Sequence, residues 1–173
     1  GTILKSSMTA EKEQAYKSKL TEARDAGYAI LKNGGSSQAA VLAAIQILED
    51  SPLFNAGIGA VYTYNEEHEL DASVMDGKTK NAGAVASVKH IKNPILLATD
   101  VMTKSDHVFL AGSGAEDFAK ELGYEFVDNS IFNTQRRLKA VQKAKSKINA
   151  SKSWFLNDDF RYGTVGAVAL DKE

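Results

Sequence analysis

Between Thr9 and Lys32 apolar residues recur at steps of four and three, so that Tyr16, Leu20, Ala23, Gly27 and Ile30 fall on one face of a predicted helix. Thr9 can cap it, and Glu11 and Glu13 suit its positive first turn. Asn33-Gly34-Gly35 supplies a stop, because glycine accepts the left-handed geometry that closes a helix. Ser36 or Ser37 then caps a second helix with its stripe at Val41, Ala44, Ile45 and Leu48, and Pro52 ends it. Two amphipathic helices in succession predict a helical layer lying on something flat.

Beyond Pro52 the period shortens. Ala60 to Asn65 and Glu69 to Met75 read as strands around a polar turn, and Asp76-Gly77 leads into a third strand from Ala82 to His90, which together make a meander. Asn93-Pro94 starts a helix with Ile95, Ala98 and Met102 aligned; His107 to Ala111 is a short strand, and Ser113 to Gly123 a capped helix burying Phe118 and Leu122. This order predicts a layered α+β fold rather than a regular βαβ repeat.

Thr134 to Ile148 is a helix studded with Arg136, Arg137, Lys139, Lys143, Lys145 and Lys147. Its charges go nearly all round and no aromatic residues interleave for base stacking, so it reads as a solvated face and not as a nucleic-acid surface. From Asn149 to Tyr162 periodicity disappears, and this polar linker leads to a strand opening at Gly163. One domain is expected, with the linker at about 149–162.

Composition narrows the picture. The chain has 173 residues, 21 basic and 22 acidic, for a formal net charge of -1, so no global field points toward nucleic acid or an acidic surface. With no cysteine there is no thiolate chemistry. No apolar run approaches the roughly 20 residues that span a bilayer, and no membrane partner is expected. The chain begins at Gly1 with nothing resembling a signal peptide. A cytoplasmic location is favoured, with periplasmic or secreted locations left open because the true start is expected to lie upstream. Asn149-Ala-Ser151 is a formal glycosylation sequon that matters only in a secretory eukaryote.

Several candidate chemistries carry little. The G-x-G runs at Asn55–Gly59 and Gly112–Gly114 lack the third glycine of a dinucleotide fingerprint and read as tight turns. Glu66-Glu67-His68-Glu69 offers metal-ligand types, but it lies in the predicted hairpin turn, with no second histidine at helical spacing, and reads as solvated. His68, His90 and His107 are the only histidines, and no serine sits in a nucleophile elbow. A hydrolase without a histidine base needs another proton acceptor. An α-amino group can be one, and a threonine at a new N-terminus carries nucleophile and base together. Gly163-Thr164 offers such a residue: the threonine hydroxyl can attack the preceding carbonyl, and glycine both permits a strained backbone and leaves the carbonyl uncrowded. On spacing alone a bend or close backbone approach is the commoner reason for a Gly-Thr pair.

Four segments in order, F-N-A-G-I-G-A-V at Phe54–Val61, E-L-D-A-S-V-M-D-G at Glu69–Gly77, A-G-A-V-A at Ala82–Ala86 and G-T-V-G-A-V-A-L-D at Gly163–Asp171, resemble the plant-type L-asparaginases, or isoaspartyl peptidases, which are N-terminal nucleophile hydrolases. The resemblance implies a four-layer αββα sandwich, made as an inactive precursor and cut before the threonine into α and β subunits that assemble as a dimer of heterodimers, with residues 1–162 as the α-subunit region and 163–173 as the cleavage junction and first strand of the β subunit. It implies Thr164 as nucleophile, Gly163 as the residue before the scissile bond, and Asn55 close to the nucleophile. It also implies a structural sodium ion on the backbone carbonyls of Leu48, Glu49, Ser51, Phe54, Ala56 and Ile58, hard neutral donors suited to such a cation. No catalytic cofactor is implied. The substrates would be L-asparagine and β-aspartyl dipeptides.

Two departures stand out. The family's H-G-G-A-G strand is represented at most by Gly1, and nine residues follow Thr164 where the family's β subunit runs much longer. The second threonine, the arginine clamp for the substrate and the oxyanion donors are expected in that continuation, so this chain alone is expected to be an inert, truncated precursor. A glycosylasparaginase-like activity and a non-catalytic layered scaffold remain as alternatives.

Overall fold

The computed structural model describes residues 8–151 and 164–172. The order is α1 (Ala10–Lys32), α2 (Ser37–Glu49), β1 (Leu70–Met75), β2 (Ala82–Val88), α3 (Pro94–Lys104), β3 (Phe109–Ala111), α4 (Gly112–Glu121) and α5 (Gln135–Ser151). Thr9 caps α1 through Lys12 N–H at 3.3 Å. Of the two serines offered, Ser36 caps α2, accepting from Ala39 N–H at 3.2 Å.

The sheet runs β1-β2-β3, with β1 antiparallel and β3 parallel to β2. The parallel pair is joined through α3, so one βαβ unit sits inside the α+β frame. α3 and α4 cover one sheet face, and Leu97, Ala98, Val101, Ala115, Ala119 and Val88 there are at 0% exposure. Each large aliphatic side chain so buried contributes about 1.5–3 kcal/mol. β2 carries a bulge at Ala86 and Ser87, opposite Asp71 of β1, whose Oδ1 accepts from the N–H of Ser87 at 2.9 Å.

The other face is different. Asp71, Ser73 and Met75 alternate outward from β1 and are exposed, and the small side chains of Ala84 and Ala86 lie half-buried beside the exposed Phe109. α1 and α2 pack on each other beyond this face, and a cavity of about 660 Å³ separates α2 from the sheet. Residues 164–167 edge that cavity. Their exposure alternates with period two, as a strand's does, but they join no ladder among the described residues.

Several expectations need correction. Ala60–Asn65 forms no strand, because side chains and a tight turn take its backbone groups: Val61 N–H goes to Asn55, Val61 C=O to His68, and Thr63 N–H to Glu67 C=O. The meander therefore reduces to one antiparallel pair. Leu20 is 49% exposed, although it shares the helix face of buried Tyr16, Ala23 and Gly27, because it borders an open apolar groove between α1, α2 and residues 166–169. On α4 it is Ala115 and Ala119 that are buried, while Leu122 is 37% exposed. α5 continues to Ser151, past the expected start of the linker. Gly1, Gly163 and residues 152–162 lie outside the described residues.

Candidate active site

Thr164 and Asn55 line the same cavity, with Glu49 and Ile45 of α2, Glu69 and the outward residues of β1 and β2 around them. They arrive from distant parts of the chain. Asn55 lies in the tight loop that follows α2, and Thr164 opens the last described segment.

The loop is built on backbone. Gly57 has φ +47°, and a Cβ there would come within 2.2 Å of the Glu49 carbonyl oxygen; at Gly59 it would come within 2.0 Å of the Phe54 carbonyl oxygen. Only glycine allows those two carbonyls to be folded so closely onto the chain. A 3-10 turn spans Gly57–Gly59, closed by Gly59 N–H to Ala56 C=O at 3.0 Å. The Asn55 side chain is oriented by Val61 N–H, which donates to Oδ1 at 2.8 Å, so the NH2 end is the donor it offers.

Glu49 anchors the start of the loop. Its Oε1 accepts from Ile95 N–H at 3.2 Å and its Oε2 from Asn93 Nδ2 at 3.1 Å, so it caps α3 in place of Asn93, whose own side chain makes no capping bond. Burial pushes its carboxyl up to about 8, against the opposing pull of Asn93 and Ile95, with Asp50 adding to the rise.

From outside, two arginines of α5 hold the same loop. Arg136 Nη2 donates to Leu53 C=O at 2.8 Å and to Pro52 C=O at 3.3 Å, while its Nη1 donates to Tyr16 Oη at 2.8 Å. Tyr16 in turn donates to Leu53 C=O at 2.9 Å. Arg137 Nε donates to Gly59 C=O at 2.7 Å, and burial, with the charge of Arg136, lowers the Arg137 pKa. The expectation of a merely solvated basic face therefore fails for these two residues. Its one sequence signal was placement: two cations in the first turn of a helix oppose the helix dipole and need a local reason.

At the other end, Thr164 is exposed and its Oγ1 is 3.4 Å from Val165 C=O. Val165 and Ala167 pack against the core, and Asp171 Oδ2 accepts from Ser37 N–H at 2.7 Å at the first turn of α2. A carboxylate is favourable there because that helix end is positive.

Among the described residues no histidine lines this cavity. His68, expected in a solvated turn, is fully buried; its ring nitrogens lie 3.2 Å from Val61 C=O and 3.2 Å from Asn133 Oδ1, and burial lowers its pKa despite both contacts. Its neighbours Glu66, Glu67 and Glu69 are exposed, and Glu67 pairs with Lys89 at 2.6 Å. His90 is paired with Glu116 at 3.1 Å. The cavity brings together a threonine hydroxyl, a carboxamide donor and a backbone-built loop. That set suits nucleophilic chemistry on an amide more than metal or phosphate chemistry.

The family profile described as Asparaginase matches residues 1–173. The chain is 45% identical to an isoaspartyl peptidase of Escherichia coli (strain K12) over 174 residues, covering 99% of this chain and 54% of that protein. It is 43% identical to an isoaspartyl peptidase/L-asparaginase of Mus musculus, covering 96% of this chain and 50% of that protein. For the Homo sapiens isoaspartyl peptidase/L-asparaginase the identity is 45%, over 88% of this chain and 48% of that protein. The chain thus spans about half the length of the curated relatives it matches. The match runs through the Asn55 loop, both motif-bearing strands and the Thr164 segment, and on it this chain belongs to the asparaginase family.

Proposed function

We propose that the full-length protein is an amidohydrolase for L-asparagine and β-aspartyl dipeptides, activated by cleavage between Gly163 and Thr164. The observation that carries this reading is the meeting of Thr164 and Asn55 at one cavity in a chain of this family. In the precursor, Thr164 Oγ1 attacks the Gly163 carbonyl carbon, the C–N bond breaks as the C–O bond forms, and the nitrogen takes up the proton. Water then hydrolyses the ester, leaving a Gly163 carboxylate and a Thr164 with a free amine and hydroxyl. That amine accepts the hydroxyl proton when Thr164 attacks the substrate's side-chain carbonyl, and returns it to the leaving amine; water releases the acyl-enzyme. Asn55, held through its oxygen, offers its NH2 beside this chemistry.

Assembly and ion binding belong to the same reading. The gap between α2 and the open sheet face has the place of a second sheet, of which residues 164–172 are the first strand in a four-layer αββα sandwich. The β subunit supplies the contacts to the substrate's α-amine and α-carboxylate, and two αβ units form the active dimer. A sodium ion is held by the carbonyls of Leu48, Glu49, Ser51, Phe54, Ala56 and Ile58. Its fit rests on the loop's geometry: the carbonyls of Pro52 and Leu53 within the span and of Gly59 just past it are taken by arginine and tyrosine donors, those of Leu48 and Ala56 each accept one backbone N–H and keep a second lone pair, and those of Glu49 and Phe54 are folded back onto the loop's glycines. When bound, the ion adds rigidity to the loop and no chemistry.

Intact-mass analysis of the full-length protein tests this. The wild type is expected to split between Gly163 and Thr164, and Thr164→Ala to stay whole and lose asparagine turnover by several orders of magnitude, as when a catalytic nucleophile is removed. Full turnover by protein whose junction stays intact would overturn the reading.

A further inference from the structure

The loop that carries Asn55 is gripped at both ends by consecutive residues of a helix that lines no part of the cavity. Leu53 and Gly59 flank Asn55, and their carbonyls accept from Arg136 Nη2 and Arg137 Nε at 2.8 and 2.7 Å. Gly59 lies two residues before Val61, whose N–H orients the Asn55 amide. Consecutive residues on a helix point about 100° apart, so one turn of α5 reaches two separated points on the loop.

This arrangement has a cost that packing alone does not justify. Both cations sit in the first turn of α5, where the helix dipole opposes them, and α5 has no acidic residue in that turn. Among the described residues neither arginine pairs with a carboxylate; the hydrogen bonds of their guanidinium groups end on the loop's carbonyls or on Tyr16. Tyr16 completes the grip, since its ring also packs edge-on against Phe54 with centroids 5.4 Å apart. A glycine-rich loop with a left-handed residue at Gly57 has many alternative conformations, and outside fixation selects among them.

We infer that Arg136 and Arg137 are positioning residues that act through the Asn55 loop to set the rate of both cleavage before Thr164 and later substrate turnover. The inference rests on the function proposed above. Arg137, half-buried with a single directed bond to Gly59, carries the larger share; Arg136, more exposed, is backed by Tyr16.

The test uses full-length protein carrying Arg136→Ala, Arg137→Ala, Arg136→Lys or Arg137→Lys. Cleavage is followed by intact mass, and kcat and KM are measured per mole of cleaved enzyme well below each variant's Tm. We expect Arg137→Ala to slow cleavage by about tenfold or more and to lower kcat similarly, as for misplacement of a catalytic group by a fraction of an ångström. KM should stay within about twofold, because the substrate's charged groups are held elsewhere. Lysine should rescue position 137, which needs one bond, better than position 136, which needs a fork. If the alanine variants do not fold, the lysine variants carry the same comparison. Folded variants that cleave and turn over at the wild-type rate, differing only in Tm, would overturn the inference alone, as would a change confined to KM. A wild type that never cleaves would overturn the proposed function and this inference with it.

Discussion

The two faces of the sheet differ in how far they are finished. On the α3/α4 face, branched and long side chains interlock to zero exposure, and even the buried polar group Thr99 is satisfied by its own helix, donating to Ile95 C=O at 2.9 Å. On the opposite face the same strands present Asp71, Ser73, Ala84 and Ala86, with Met75 63% exposed and a 660 Å³ cavity beyond. In the last segment, beyond the residues that line that gap, Val168 is at 100% and Leu170 at 89% exposure. Apolar groups this exposed beside small-residue strands describe a surface shaped for further packing. The closed face supplies stability, and the open face borders the cavity that Thr164 and Asn55 line.

The sharpest way to break this comparison is to truncate one residue on each side in the full-length protein. Leu97→Ala, at 0% exposure on the closed face, should cost about 2–5 kcal/mol. Leu170→Ala should cost about 2 kcal/mol or more if the gap is filled by a second sheet, and no more than about 0.5 kcal/mol if it stays as exposed as it is here. Urea unfolding of the two variants decides it. A negligible cost at Leu170 would sink the four-layer assignment while leaving the closed face intact.

A second comparison sharpens the edge of the closed face. Glu116 Oε1 accepts from the N–H groups of Lys89 and His90 at 2.7 and 2.9 Å, and both its oxygens face His90 Nδ1. Burial tends to raise this carboxyl, but those hydrogen bonds outweigh it and hold it below the usual range. A lowered folded value means the stabilisation is fully present above the ordinary carboxylate pKa and fades as pH falls through the lowered one. Glu116→Ala should therefore cost about 1–3 kcal/mol at neutral pH, and the gap from wild type should narrow in acid. A gap that stays constant to pH 3 would deny the carboxylate this role.

Legibility in the sequence followed the same division. Where one face of an element is buried by its own chain, periodicity located it: α2's stripe at Ala44, Ile45 and Leu48 is buried as expected, and so are Ile95 and Ala98. Where side chains replace the ladder, periodicity misled. Tyr62 and Tyr64 favour a strand by propensity, but Asn55 and His68 occupy the backbone of Val61. That Asn55 and Thr164 would meet, as they do at one cavity, was legible only through motifs, since spacing along the chain does not bring them together. Arg136 and Arg137 were hidden because a charged helix pattern cannot say whether a guanidinium meets water or a carbonyl.

The smallest effect tests how the Thr164 segment is registered on the helical layer. A period-two segment can slip, and a slip of one residue would exchange its half-buried Val165 and Ala167 for its exposed neighbours. Apolar packing resists this only weakly here, because the inward side chains are small. Asp171 supplies the directional element, since its bond to Ser37 N–H at 2.7 Å can form in one register only. Asp171→Ala should cost about 1 kcal/mol, the usual value of a charged group at a helix N-terminus, and Asp171→Asn a few tenths, since an acceptor remains. The informative readout is the cleavage rate: if the anchor fixes where Thr164 lies, alanine should slow cleavage more than asparagine at equal folded fraction. Equal rates in the two variants would assign Asp171 to helix capping alone and leave the register to the packing of Val165 and Ala167.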